Sequence, residues 1–151
     1  MSSETLSSET LLANSLAERA WELIRAGRFE ELDEVFAPDA QMSIAAMSGQ
    51  GIEFIKGVMG RHLKSYPDVK HELLSVIESP GGTSAAREVH FRGTHAGELR
   101  NPQTGEVFPP TGKTIGWHAA EVVQAADGKI TVWHAYFDRM EIAQQLRATD
   151  S

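Results

Sequence analysis

Apolar residues recur every three or four positions from Thr10 to Ile24, with Leu12, Leu16, Ala20, Leu23 and Ile24 on one stripe and Glu18, Arg19, Glu22 and Arg25 between them. That spacing predicts an amphipathic helix, and Gly27 supplies its stop. Phe29, Leu32, Val35 and Phe36 mark a short second helix. It is closed by a turn at Ala37-Pro38-Asp39, because the residue before a proline is pushed out of the helical region. Residues 41–46 read as a short strand, and residues 52–63 as a third helix with Phe54, Ile55, Val58, Met59 and Leu63 on its apolar stripe. After Tyr66-Pro67-Asp68 the period falls from about 3.6 to two. Residues 69–78 and 84–95 then read as strands joined at Pro80-Gly81-Gly82, and residues 97–112 as a Pro/Gly-rich excursion. Residues 114–124 and 130–138 form a hairpin across Asp127-Gly128, and residues 140–147 a last helix. Helices followed by a meander of long strands predict an α+β domain, with helices packed on one face of a curved antiparallel sheet. It occupies residues 10–151 as a single unit, behind a polar tail over residues 1–9 where Ser-Ser-Glu-Thr-Leu begins a direct repeat (2–6 and 7–11).

Hairpin register decides which side chains share a face, because successive strand residues point to opposite sides. A two-residue loop sets His134, Tyr136 and Asp138 beside Trp117, Ala119 and Glu121. A three-residue loop with a glycine bulge sets them beside His118, Ala120 and Val122, and the Ala126-Asp127-Gly128 sequence favours it. It also turns charged Glu121 away from Val122, Ile130 and Val132. His118, His134, Tyr136 and Asp138 are therefore expected on the pocket face. The opposite face would expose Trp117, Trp133 and Phe137, a large apolar patch for a monomer, and a homodimer packed through that outer sheet face is expected to cover it.

Charge and composition narrow the function. The chain carries 14 Lys+Arg against 21 Asp+Glu, net −7, which argues against nucleic-acid binding. It has no Cys, which excludes disulfides, thiolate metal sites and a cysteine nucleophile. No apolar stretch approaches the length of a membrane span, and residues 1–10 lack the basic start and apolar middle of a signal peptide. A cytoplasmic protein is expected. Six His and many carboxylates invite a metal, but no H-x-x-x-H or H-E-x-x-H spacing exists, so none is expected. Pro110-Thr111-Gly112-Lys113 lacks the preceding glycines of a phosphate-binding loop.

The series Gly93-Thr94-His95-Ala96-Gly97, Pro110-Thr111-Gly112-Lys113, Asp127-Gly128-Lys129-Ile130, Tyr136-Phe137-Asp138 and Gln145-Leu146 resembles the SnoaL-like polyketide cyclases, also called ester cyclases. These share the cone-shaped fold of nuclear transport factor two. The resemblance implies a helix-lined conical cavity closed by a curved sheet, commonly in a homodimer. It also implies intramolecular aldol cyclisation of polyketide esters, with an aspartate as acid/base and neither metal nor cofactor. Two departures stand out. Arg147 follows Gln145-Leu146 where the family usually has Gly, and Thr94 occupies the place of the second carboxylate used by epoxide hydrolases of this fold.

Aldol cyclisation removes a proton from a carbon between two carbonyls and protonates a developing alkoxide. One partly desolvated carboxylate can do both. Asp138 is the candidate, with His118 and His134 as polar partners, although Asp138-Arg139-Met140-Glu141 is also a helix-start signature that would make Asp138 a cap. His95 and Arg92 are candidates for substrate contact at the rim, Tyr136 within the pocket, and Trp21, Phe54, Met59 and Leu63 along the helical wall. Each has a plainer role as packing, bend or surface residue. The expected activity is cofactor-free acid/base catalysis on a small apolar carbonyl compound. A ketosteroid-isomerase-like proton shuttle and a non-catalytic binding module are the alternatives.

Overall fold

The computed structural model describes residues 12–45 and 47–148. The tail over residues 1–9, the paired pentapeptides and Ala46 lie outside them. Helix α1 (Ala13–Arg25) buries Leu16, Ala20, Leu23 and Ile24 of the stripe read from the spacing, with Trp21 beside them, while Leu12 is its half-buried N-cap. The short second helix is a single 3₁₀ segment, Phe29–Glu34. Strand β1 (Phe36–Ile44) follows, then β2 (Met47–Gln50), helix α2 (Ile52–Ser65), β3 (Lys70–Glu78) and β4 (Ser84–Thr94). The Pro/Gly-rich excursion carries a small hairpin of its own, β5 (Leu99–Arg100) and β6 (Val107–Phe108). Long strands β7 (Thr114–Ala126) and β8 (Lys129–Phe137) and helix α3 (Arg139–Arg147) complete the chain.

Six strands form one sheet in the order β2-β1-β8-β7-β4-β3. Four of its pairs are antiparallel, as expected, but β1 runs parallel to β8. The turn expected at Ala37-Pro38-Asp39 is instead an irregularity within β1, whose pairing jumps from Phe36 opposite Ile130 to Gln41 opposite Val132. An unpaired stretch suits Pro38, which has no N–H for a ladder.

The β7–β8 hairpin corrects the expected loop and confirms its consequence. Asp127 and Gly128 both have positive φ, 53° and 75°, so they form a two-residue type I′ turn. A bulge at Thr131 then shifts the pairing from Ala125–Ile130 to Gln124–Val132. From there Val122 opposes His134 and Ala120 opposes Tyr136, the grouping that a three-residue loop was expected to give. The assignment of faces, however, is reversed. Trp117 and Trp133 point toward the helices and are buried, so neither they nor Phe137 forms an outer patch. Packing explains the reversal: α1 and α2 need an apolar platform, and two tryptophans remove far more apolar surface from water than histidines do. Trp21 of α1 meets Trp133 edge-on at 6.3 Å and Phe91 at 5.0 Å.

Candidate functional site

Between the sheet and the helices lies a cavity of about 170 Å³, several times the roughly 30 Å³ that one water occupies in the liquid. Its walls come from every layer of the fold. Trp21 on α1, Met59 and His62 on α2, and Tyr66 just beyond α2 line one side. Phe91, Trp117, Ala119, Trp133, Ala135 and Phe137 line the sheet side. The β5–β6 hairpin and α3 frame the mouth. Ala119, Ala135 and Ala143 leave the room, since small side chains stand at wall positions between large rings.

One carboxylate belongs to the sheet side of this wall, apart from Glu106 at the mouth. Glu121 is 1% exposed, on the same face of β7 as Trp117 and Ala119. Oε1 accepts from Arg87 Nε–H at 3.0 Å, and Oε2 accepts from the indole N–H of Trp21 at 3.1 Å. Arg87 stands directly opposite Glu121 in the β4–β7 ladder and is itself buried. The guanidinium is satisfied on its other side by Asn14 Oδ1 at 2.5 Å and Glu18 Oε2 at 2.6 Å. His71 reaches the same Glu18 oxygen at 3.0 Å, and Arg25 donates to His71 Nδ1 at 2.8 Å. A chain of hydrogen-bonded ionisable groups thus runs from the cavity floor to the surface. Burial pushes the Glu121 carboxyl up from its ordinary value, against the opposing pull of Arg87 and Trp21. Partial burial also disfavours ionised Glu18, but hydrogen bonds from Arg87 and His71 outweigh it and hold Glu18 below the ordinary value.

Three more polar atoms are buried at this cavity with no hydrogen-bond partner among the described residues: His62 Nε2, Tyr66 Oη and Trp133 Nε1. Unpaired buried polar atoms are uncommon and invite an explanation. His62 sits among Trp21, Tyr66, Phe91 and Trp117, with ring centroids 5.6 to 6.4 Å away. Burial lowers its pKa to about 4, so the imidazole is neutral at pH 7. Burial raises the Tyr66 phenol, which keeps its proton.

The residues singled out in the sequence are dispersed. Trp21 and Met59 line the cavity, whereas Phe54 and Leu63 pack against the core outside it. Asp138 is exposed and caps α3, its Oδ1 accepting from Met140 N–H at 2.9 Å. His118 is exposed and bonds Glu141 through Nδ1 at 2.8 Å, while Tyr136 is 55% exposed and packs edge-on against His134. His118, His134 and Tyr136 therefore share a face, but it is the convex one. Arg92, opposite Gly116, is likewise exposed.

His95 is neither a rim contact nor a solvated bend. It is fully buried and joins two of the quoted motifs: Nδ1 lies 3.0 Å from Thr111 Oγ1 and accepts from Thr111 N–H at 3.3 Å. Its backbone exchanges bonds with Lys113 and Gly112. At Gly97 a Cβ would lie 2.3 Å from the Lys64 carbonyl oxygen, so only glycine fits against the end of α2. Lys113 Nζ caps α3 by donating to the Leu146 carbonyl at 3.1 Å, and the Gln145 amide brackets Gly116 at 2.9 and 2.6 Å. These motifs therefore staple the loop and last helix to the sheet.

Glu121 and Arg87 carried a signal in the sequence, each being one charge in an otherwise apolar alternation (Trp117, Ala119, Val123; Ala85, Val89, Phe91). Burial reasoning on the hairpin alone turns Glu121 outward. The compensating cation lies on another strand, 34 residues away. His62 and Tyr66 gave no signal beyond the helix stripe and the Tyr66-Pro67-Asp68 turn.

Several solved structures of similar shape carry the cyclase description, and one, AclR from Streptomyces galilaeus, is described as a candidate hydroxylase. A candidate SnoaL-like polyketide cyclase from Jannaschia sp. CCS1 aligns over 92% of this chain and 96% of its own, at 16% identity and a TM-score of 0.74. IdmH, a candidate polyketide cyclase from Streptomyces antibioticus, aligns over 89% and 98%, at 22% identity and 0.72. A SnoaL-like polyketide cyclase from Agrobacterium tumefaciens aligns over 88% and 96%, at 16% and 0.70. At such identities the likeness shows the fold. No curated protein matches the chain. The profile of the SnoaL-like polyketide cyclases matches residues 14–146, nearly the whole domain, and the chain belongs to that family.

Proposed function

We propose that the cavity is the active site of a cofactor-free enzyme of cyclase or isomerase type, acting on a small, mostly apolar, carbonyl-bearing molecule. Glu121 is its acid/base, in place of the exposed Asp138. The observation that carries this reading is a buried carboxylate in an apolar cavity, its pKa raised by burial, in the same lining as polar atoms of His62 and Tyr66 that have no partner among the described residues. Ionised Glu121 removes a proton from a carbon flanked by two carbonyls. His62, donating from Nε2, and Tyr66, from its hydroxyl, hydrogen-bond the enolate oxygen that develops. The enolate carbon attacks a second carbonyl of the same molecule, and the alkoxide takes the proton back from Glu121. Both carboxylate oxygens keep a free lone pair beyond the bonds from Arg87 and Trp21.

Exchange of the acidic C–H protons of 1-phenylbutane-1,3-dione into deuterated buffer tests the base without a known substrate. The native chain is expected to accelerate exchange above buffer, and Glu121→Gln to slow it about a hundredfold or more. Because the base must be ionised, the rate is expected to fall as pH drops, with a midpoint above the ordinary glutamate value of 4.5. A chain that binds the diketone without accelerating exchange would be a binding module.

The reading extends to a homodimer through the convex face of the sheet, where Ile77 is 75% exposed and Tyr136 55%. Sedimentation at micromolar concentration checks it. A single 16.5 kDa species would overturn it.

A further inference from the structure

The cavity mouth is charged opposite to the chain. The net charge is −7, yet three arginines, Arg100, Arg139 and Arg147, line the mouth against one acid, Glu106. On the floor Glu121 is matched by Arg87. At the mouth Glu106 engages Arg147 through both oxygens at 2.7 Å, and Glu98 lies 3.5 Å from Arg100. Arg139 differs. Among the described residues no carboxylate comes within ion-pair distance of it, and the neighbouring Asp138 is committed to the Met140 N–H. Its guanidinium instead lies over the Phe137 ring, 5.7 Å from the centroid. Partial burial lowers its pKa, the response of a cation desolvated without an acid to balance it.

We infer that Arg139 selects ligands bearing a carboxylate, so that the molecule taken by this cavity is an amphipathic organic anion. Its flat apolar body lies among Phe91, Trp117 and Trp133, and its charged end meets Arg139 at the mouth. An apolar, aromatic-walled cavity recognises the body by area, and a planar guanidinium recognises a planar carboxylate through paired N–H donors. The polarity also orients the ligand: the anion stays at the mouth and the uncharged end reaches Glu121, where a second negative charge would be repelled. The inference rests on the reading of the cavity as a ligand site, and adds the class of ligand.

Calorimetric titration with 2-naphthoate and its uncharged isostere 2-naphthamide tests it at neutral pH and low salt. The native chain is expected to bind naphthoate about tenfold more tightly than the amide. That preference should shrink as salt is raised. Arg139→Gln should abolish the preference while amide binding persists, and Arg139→Lys should keep much of it. Circular dichroism verifies that each variant is folded. Lys129→Gln removes one charge at the start of β8, the end of that strand remote from Arg139, and should leave the preference intact, separating a local contact from net charge. Equal binding of the two probes, or a preference that survives Arg139→Gln, overturns the inference and leaves the cavity reading standing. If neither probe binds, both fall.

Discussion

Strands β7 and β8 present two faces made from the same stretch of chain, and the faces could hardly differ more. The concave one carries Trp117, Ala119, Glu121, Trp133, Ala135 and Phe137; the convex one carries His118, Ala120, His134 and Tyr136. Counted by functional groups, the convex face is the richer. Its groups nevertheless stand in or near water, where ion pairs are weak and nothing holds a substrate. The concave face has one carboxylate, but the rings around it remove water, and its acidity and its bonds to Arg87 and Trp21 respond to that. Chemistry here follows the low-dielectric side of the sheet rather than the number of titratable residues.

The sharpest way to break this contrast is to truncate one ring on each face. Trp133 is fully buried, so Trp133→Ala is expected to cost about 4 kcal/mol in denaturant unfolding, against about 0.5 kcal/mol or less for Tyr136→Ala at dilutions that keep the chain monomeric. Comparable losses would mean that the convex face is also packed, for example against a second copy.

Arg87→Met leaves Glu121 without its compensating cation and is expected to cost about 3 kcal/mol. Adding Glu121→Met should recover part of that, because the double variant has no unpaired charge at this position. Additive losses in the double-variant cycle would argue against the pair as a unit.

Acid should find the concave face through His62. Its pKa in the folded chain, about 4, lies below the unfolded value of 6.5, so the unfolded chain takes up the proton first as pH falls. Stability is then complete above pH 6.5 and declines toward pH 4, by at most about 3 kcal/mol. Urea midpoints across that range check it. His62→Phe should flatten this part of the profile.

The smaller effects belong to the residues that stood out in the sequence. Asp138→Ala removes a helix cap and is expected to cost about 1 kcal/mol, while Asp138→Asn keeps the diketone exchange rate within a few-fold. His118→Ala loses one exposed contact with Glu141 and should change stability by about 0.5 kcal/mol or less.

Local pattern made much of the architecture legible. The stripes of α1 and α2, the β7–β8 hairpin and the last helix follow from periods of 3.6 and two, and the Asp127-Gly128 turn from its residue types. The motifs behind the family resemblance were legible as well, but what they do is structural: His95 with Thr111, Lys113 at the end of α3, and Gln145 on Gly116 all pin loop and helix to sheet. A motif that fixes a fold can identify a family without touching the reaction.

The sequence by itself determined the main helices and long strands, their order and, through alternation, which strand residues travel together; it did not show β2 or the β5–β6 hairpin. It could not determine which of the two alternating sets faces inward, because that depends on what α1 and α2 bring against the sheet. The same limit hid the pairing of Glu121 with Arg87. A buried charge looks unfavourable within its own strand, and its stability depends on a partner 34 positions away that only the folded ladder sets opposite it.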